Sequence, residues 1–209
     1  EGEPWRAIRD FLLKEMKDKP DNTNNRFALA ARMNRLISNG PFPFWGCSKR
    51  DVLTTLSQKK SREHEPGEIA EFRIAEQAAI NAKRGRPQPV WKIAYAGAVG
   101  GQTMTGIPAV ERLRQSVPNT RIWPFELPLE PLTQEAAEGV DVVIAEVYPS
   151  MVEVTPLAQE VKDEAQVRSL AEWFAELDAN GKLGDLFATR TSLTDAQKTQ
   201  VSTEEGWIL

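Results

Sequence analysis

The segment that decides the fold is residues 140–148, which read VDVVIAEVY. In an extended strand, Val142 and Ile144 lie on one face, and Val143 and Ala145 lie on the other. Both faces are apolar, which is typical of a strand inside a parallel sheet. The segment therefore predicts a central strand, covered on both sides, in an α/β protein.

Strands and helices alternate on both sides of this segment. Residues 90–96 and 121–125 have the composition of further strands. Apolar residues at helical spacing predict helices over 107–117, with Pro108 in the first turn, and over 163–177. A last helix is predicted to start at Thr194, with Gln197 three residues on as a capping box. The alternation indicates a helix-rich α/β fold with a small mixed or parallel sheet.

The first 89 residues are predicted to be a mainly helical elaboration of a single domain over 1–209. Helical spacing is clear over 5–16 and 68–82, and Asn39-Gly40 is expected to end another helix. Residues 90–209 are predicted to hold the α/β part and the site. Three strands are few for this length, so we expect part of the sheet to lie upstream of Glu1.

The composition is that of a globular chain: 41% of the 209 residues are hydrophobic, 27% are charged, and the net charge is -4. That charge argues against a protein that clamps nucleic acid with basic residues alone, because Lys and Arg carry phosphate binding. A lone cysteine, Cys47, excludes an internal disulfide. A lone histidine, His64, excludes zinc sites with several Cys and His ligands. No apolar run approaches the roughly 18 residues of a membrane span, so we expect a cytoplasmic protein without a membrane partner.

An acidic cluster is the best candidate for catalysis. Glu146 lies near the carboxyl end of the central strand, where ligands bind in open α/β sheets. If that strand is covered on both sides, a buried carboxylate needs a partner or a metal ion. Asp163 continues the apolar stripe of its helix and is expected to point toward the sheet, although it would also complement the helix dipole. Glu126 ends the preceding strand and either joins the cluster or is an ordinary loop carboxylate.

The glycine-rich segment 97–106 is the candidate for ligand binding. It is predicted to be a loop that leads from a strand into a helix, where glycines allow close approach and free N–H groups favour an anion. The alternative is a tight turn in which the glycines serve only packing. The candidate ligand-binding residues are Gly97, Gly100, Gly101, Gln102 and Thr103, together with Lys162 beside the acidic cluster.

Three further features have structural interpretations. His64 lies in a polar segment and is expected to be a solvated surface side chain. Glu76 and Arg73 share an inward-facing position, which favours a structural ion pair. The aromatic segment 41–46 is too apolar for a solvated linker, so it is expected either to pack on its own chain or to dock a partner.

Several motifs occur in an order that resembles the bacterial family known as domain of unknown function 429. They are NTNNRF at 22–27, FRxxE at 72–76, the segment 97–108, WPFE at 123–126, EVYPS at 146–150, KDxxQV at 162–167 and EGWI at 205–208. The resemblance covers nearly the whole chain. It implies a ribonuclease-H-like fold whose first strands, one of them bearing an essential Asp, would lie upstream of Glu1.

The resemblance also implies a function. Members of the family are spoken of as nucleases, which implies Mg²⁺ or Mn²⁺ held by Glu146 and Asp163, with Glu126 in support, and hydrolysis of phosphodiesters in nucleic acid. The alternative is a non-catalytic protein of the same fold that binds a nucleotide or another small phosphorylated ligand at Gly97–Gly106.

Overall fold

A computed structural model describes residues 2–83, 85–149, 153–189 and 192–209. These residues divide into two units. Unit 1 comprises the chain up to Gln77 together with Pro87–Ser116, and unit 2 comprises Ala78–Arg86 and Val117–Leu209. The sequence placed a change of architecture near residue 89. The structure instead assigns Pro87–Ser116 to unit 1, because that segment completes the core of the first helices.

Unit 1 is built mainly from helices. They are α1 (Pro4–Glu15), α2 (Arg26–Ser38), the start of α3 (Ile74–Asn81) and α4 (Gly100–Ser116). Proline begins α1, where its missing N–H leaves no helical hydrogen bond unmade. The predicted helix over 68–82 is shorter than expected, since α3 has eight residues.

The core of unit 1 joins residues that are far apart in sequence. Buried Leu12 from α1 and Leu29 from α2 belong to one cluster with Phe44, Ile93 and Met104. Each fully buried side chain of this size contributes roughly 1.5–3 kcal/mol through the hydrophobic effect. The contribution of Ile93 and Met104 explains why the segment after residue 87 belongs with the first helices.

The aromatic segment 41–46 packs on its own chain. Phe42 and Phe44 are buried, which confirms the prediction that this segment is not a solvated linker. Asn34 of α2 is fully buried and holds the segment in place. Its amide nitrogen donates to the Phe44 and Thr55 carbonyls at 2.8 and 2.7 Å, and its Oδ1 accepts from the Phe44 N–H at 2.8 Å.

Within the described residues, unit 2 contains a two-stranded parallel sheet, the end of α3, a 3-10 turn at Leu183–Phe187 and two complete α-helices. The strands are β1 (Thr120–Ile122) and β2 (Val142–Ile144), with Thr120 opposite Val142. The helices are α5 (Lys162–Ala179) and α6 (Asp195–Gln200), and α6 runs into a π-helical turn at Val201–Glu205. Together with unit 1 this is a helix-rich α/β architecture with a small parallel sheet, as the sequence predicted.

The prediction that the 140–148 strand is covered on both faces is wrong. Within the described residues, β2 has only three residues; Val142 is 38% exposed, and Val143 and Ile144 are half-buried. Strand β1 pairs along one edge, and beyond β2 a single parallel bridge joins Glu146 to Ile208. The apolar pattern therefore marked a strand correctly but overstated its burial.

The predicted strand over 90–96 is also absent from the described structure. A single bridge joins Trp45 to Lys92, with hydrogen bonds of 2.9 Å from the Trp45 N–H to Trp91 O and from the Ile93 N–H to Trp45 O. The Lys92 carbonyl accepts from the N–H of Gly100 at 2.9 Å. The start of α4 therefore uses a backbone group that a longer strand would need.

The core of unit 2 lies around Trp123 and Phe187. Both side chains are buried, and their rings meet edge to face at 5.4 Å, with Val201 and Trp207 also buried. The predicted N-terminus of the last helix is confirmed: Thr194 and Gln197 form the reciprocal capping box that starts α6.

Candidate functional site

Glu146 lies just beyond β2, at the carboxyl end of the small sheet. Its side chain is exposed rather than buried in an apolar strand, so the argument that its burial requires a partner or a metal does not apply. Its backbone is fixed by pairing with the end of the chain, since the Leu209 N–H donates to Glu146 O at 2.9 Å. The structure therefore positions Glu146 at the expected edge but in contact with solvent.

Glu126 closes the turn that follows β1. Its Oε2 accepts from the Ile122 N–H at 3.0 Å, and its own N–H donates to Ile122 O at 2.9 Å. A carboxylate held by a backbone N–H four residues earlier shapes the local turn. The geometry thus gives Glu126 a structural role at the edge where Glu146 lies.

Asp163 and Lys162 begin α5, and both side chains are exposed. The expected inward stripe is wrong at its start, because Val167 is 66% exposed while the fully buried residue in this part of α5 is Ala165. The N-cap of α5 is Val161, whose side chain makes no capping hydrogen bond. An acidic residue in the first turn then favours the helix through its dipole, which is the structural alternative for Asp163.

The acidic residues at this edge bear on the predicted metal site through their geometry. In the described ranges, no three Asp, Glu, His or Cys side chains come together in a group that could hold a metal ion. Magnesium and manganese take several oxygen ligands around one centre, and Glu126 already accepts from a backbone N–H. Glu146, Asp163 and Glu126 as positioned here do not fit such an ion, and the metal-dependent hydrolase stays a prediction.

The glycine-rich segment is largely helical rather than a loop. Helix α4 begins at Gly100, and Pro108 lies in its interior and not in the first turn. Gly97 alone of the three candidate glycines has a positive φ, of 75°, in the turn before the helix. The helix starts earlier than expected because Gly100 can pack against the backbone that precedes it.

The packing role of these glycines is visible in the distances. A Cβ at Gly100 would lie 2.0 Å from Val90 O, and a Cβ at Gly101 would lie 2.6 Å from Ile93 O. Both residues are buried in the first turn of α4. Thr103 is likewise engaged locally, since its hydroxyl donates to Val99 O at 3.0 Å. Packing against the preceding backbone therefore explains the glycine at position 100. A ligand at this segment would have to be bound by other atoms.

Those atoms lie in a groove at the first turn of α4, which we call the α4 groove. It has a volume of about 320 Å³. It is lined by Asn24, Arg26, Ile93, Ala94, Tyr95, Ala98, Gly101, Gln102 and Thr105. Among these lining residues Arg26 is the charged one, so the groove carries a local positive charge in a chain whose net charge is -4.

Arg26 is held in a defined orientation. Its Nη1 donates to Asn24 Oδ1 at 2.9 Å, and its guanidinium lies 4.5 Å from the centre of the Phe27 ring. A Cβ at Gly101 would lie 3.2 Å from Arg26 Cδ. The side chain thus runs directly past the first turn of α4, and a Cβ at Gly101 would displace it by a few tenths of an ångström.

The backbone of that turn offers hydrogen-bond donors. The N–H of Gly100 donates to Lys92 O and the N–H of Thr103 donates to Val99 O, each at 2.9 Å. In the described part of the chain, the N–H groups of Gly101 and Gln102 have no backbone or side-chain acceptor. The residues that carry these two amide donors and the Arg26 guanidinium all line the α4 groove.

Sequence reasoning found one side of this groove and missed the other. Gly101 and Gln102 were candidate ligand-binding residues, whereas Asn24, Arg26 and Tyr95 were given no role. The segment NTNNRF at 22–27 had been noticed as a motif, but nothing in local spacing relates it to residues about 75 positions later. Lys162, the remaining candidate, belongs to unit 2.

A second groove, of about 490 Å³, lies in unit 2 along α5. Its cation is Arg168, which donates to Glu160 at 2.8 Å, to Glu172 at 2.8 Å and to Thr155 O at 2.8 Å. The hydrogen bond from Arg168 holds the pKa of Glu160 below its usual value. This guanidinium is already occupied by acidic partners, so the α4 groove is the better site for an external anion.

Other ionisable groups of unit 1 have structural roles. Glu76 is buried and bonded to Arg73 Nε at 2.9 Å, as the sequence predicted. His64 is not a solvated surface residue: it is half-buried, 4.6 Å from the Phe42 ring, and its Nδ1 lies 2.8 Å from Ile69 O. The packing of the aromatic segment 41–46 explains the difference, because it gives the histidine ring a surface to cover.

In the described part of the chain, no helix has both the length and the apolar character needed to cross a bilayer. Comparisons of the chain with protein-family models, with curated proteins and with solved structures give no match.

Proposed function

We propose that the protein binds a small anionic ligand, with a phosphate group as the recognised moiety, in the α4 groove. The observation that carries the proposal is that Arg26, Gly101 and Gln102 line one groove, where they offer a guanidinium and two backbone N–H groups as donors. A phosphate oxygen can accept from all of these donors, and the positive end of the α4 dipole adds to the attraction. The proposal is a binding function and requires no catalytic group.

The fixed orientation of Arg26 supports this function. The guanidinium is already held by Asn24 and Phe27, so a ligand does not have to order a flexible side chain. Preorganisation of this kind lowers the entropic cost of binding. Arginine also presents a planar fork of donors, which matches a phosphate better than a single ammonium does.

The proposal corresponds to the alternative that the sequence left open, with the site moved from a glycine loop to a helix start. A ribonuclease-H-like architecture remains part of the proposal, supported by the parallel pairing of β1 with β2. The metal-dependent hydrolysis of nucleic acid remains a separate prediction, and Mn²⁺-dependent cleavage of DNA or RNA is the measurement that decides it.

The test is calorimetric titration of the protein with inorganic phosphate and with pyrophosphate, comparing the parent with Arg26→Gln. A hydrogen bond to a charged group contributes about 1.5–3 kcal/mol, so loss of the guanidinium is expected to weaken binding roughly 10- to 100-fold. Arg35→Gln is the matched control, because Arg35 is an exposed arginine of the same helix outside the groove.

Two results would contradict the proposal. One is the absence of binding of either anion by the parent protein at millimolar concentration. The other is equal affinity of the parent, Arg26→Gln and Arg35→Gln proteins, which would place the anion elsewhere. Thermal unfolding of each variant without ligand checks that Arg26→Gln is folded, since the substitution also removes the contact with Phe27.

A further inference from the structure

An exposed aromatic ring forms part of the α4 groove. Tyr95 lines the groove together with Arg26 and Gly101, and 59% of its surface is exposed. A tyrosine this exposed leaves a large apolar ring face in water, where it gains nothing from packing. The ring therefore lies beside the proposed anion site without a core function of its own.

The position of this ring is fixed at its far end. The Tyr95 hydroxyl donates to the Cys47 carbonyl at 2.8 Å, and Cys47 is fully buried in the core of unit 1. The hydroxyl is thus tied to a rigid part of the protein, which leaves the ring face available to a ligand. A held aromatic ring is a better stacking surface than a mobile one, because less conformational entropy is lost on binding.

The rest of the groove divides into an apolar and a polar part. Ile93, Ala94 and Ala98 come from the same stretch of chain as Tyr95 and add apolar surface. The donors of Arg26 and Gln102 form the polar part. A small-molecule site that combines an apolar wall with a few placed polar groups selects ligands with both characters.

We propose that the ligand of the α4 groove is a phosphate monoester carrying a planar aromatic ring, of which a nucleoside monophosphate is the model, with its ring stacked on Tyr95. This inference rests on the proposed anion-binding function and specifies the class of ligand. A volume of about 320 Å³ is at the lower end of the roughly 300–1,000 Å³ usual for small-molecule sites, so the groove suits one small ligand and not a polymer.

The test compares two probes that differ only in the presence of the base: adenosine 5′-monophosphate and ribose 5-phosphate. The ratio of their dissociation constants isolates the effect of the ring. Because stacking of one base on an aromatic side chain contributes about 1–3 kcal/mol, the nucleotide is expected to bind roughly 5- to 150-fold more tightly.

Two variants then assign the effect to Tyr95. Tyr95→Leu removes the ring and keeps an apolar side chain, so the ratio is expected to fall close to one. Tyr95→Phe keeps the ring and loses the hydrogen bond to Cys47, so most of the ratio is expected to remain. The φ of Tyr95 is 76°, and both replacements carry a Cβ, so they experience the same backbone strain.

The outcomes separate this inference from the proposed function. If ribose 5-phosphate binds in an Arg26-dependent way but the nucleotide binds no more tightly, the anion site stands and the aromatic ligand is wrong. An unchanged ratio in Tyr95→Leu also overturns the inference, because the base then contacts another surface. If neither probe binds the parent protein, both the anion site and its aromatic ligand are wrong.

Discussion

The close approach of α4 to the backbone at residues 90–92 predicts a large effect of one methyl group. In Gly100→Ala, the new Cβ would lie 2.0 Å from Val90 O and 2.8 Å from Lys92 O, whereas an ordinary contact begins at 3.4 Å. The Cβ and Val90 O must therefore separate by about 1.4 Å, the difference between 3.4 and 2.0 Å. Val90 O and Lys92 O are backbone atoms and the position of a Cβ is fixed by its own backbone, so no side-chain rotation can relieve the contact.

The expected cost has two parts. Overpacking of a well-packed interior costs typically 1–3 kcal/mol, and displacement of the helix start removes the Gly100 N–H to Lys92 O hydrogen bond, worth about 1 kcal/mol. Alanine has a better helix propensity than glycine, which offsets roughly 1 kcal/mol of this destabilisation. Gly100→Ala should therefore lower the free energy of unfolding by about 1–3 kcal/mol.

Gly106 provides a matched control in the same helix. A Cβ there would have no atom within 4 Å, so Gly106→Ala should stabilise the protein by about 0.5–1 kcal/mol through helix propensity alone. Urea unfolding followed by circular dichroism measures both variants. With an m-value of about 2–3 kcal/mol/M, Gly100→Ala should lower the midpoint by roughly 0.3–1.5 M, and Gly106→Ala should raise it slightly.

A Gly100→Ala midpoint equal to that of the parent would contradict the close packing of α4 on residues 90–92. The glycine would then be dispensable for packing. If this stable variant also lost affinity for phosphate, Gly100 would be a ligand-binding residue, as predicted from the sequence.

Two further predictions concern buried polar groups of unit 1. Asn34→Ala should lower the free energy of unfolding by about 3–4 kcal/mol, because it removes three buried hydrogen bonds of about 1 kcal/mol or more each. A loss below about 1 kcal/mol in urea unfolding would show that Asn34 does not hold the aromatic segment 41–46 in place. Glu111 is buried, and its hydrogen bond from Arg114 holds its pKa below the ordinary 4.5. The carboxylate therefore stabilises the fold above pH 4.5, and this stabilisation is lost as the pH falls through the lowered pKa. Glu111→Gln should be less stable than the parent by about 1–3 kcal/mol at pH 7, with a difference that shrinks at acidic pH; a difference independent of pH would show that the charge is not involved.

Local patterns were enough to predict most helices. The apolar spacing of α1, the Asn39-Gly40 stop after α2 and the capping box at Thr194 depend on neighbours in sequence, and all three are present. The strand at 140–148 was located for the same reason. Its burial was overestimated, because burial depends on which segments pair and pack on the strand, and periodicity carries no information on that.

The site was harder to predict because it is made by long-range contacts. The proximity of Arg26 to Gly101 joins the start of α2 to the start of α4, and Tyr95 depends on a hydrogen bond to Cys47 across 48 positions. The glycine-rich segment was recognised from composition. Composition does not distinguish a glycine that meets a ligand from one that meets a neighbouring carbonyl, and at Gly100 the second case holds.

The discontinuity of unit 1 has a consequence for the order in which the chain can fold during synthesis. When residue 77 has just been synthesised, Leu29 and Phe44 are present, but Ile93 and Met104, which complete their cluster, are still to be translated. The apolar surface of the first two helices is therefore not fully covered until α4 has been synthesised. The same chain segment that closes this core also delivers the α4 groove, so core completion and formation of the binding surface are one event.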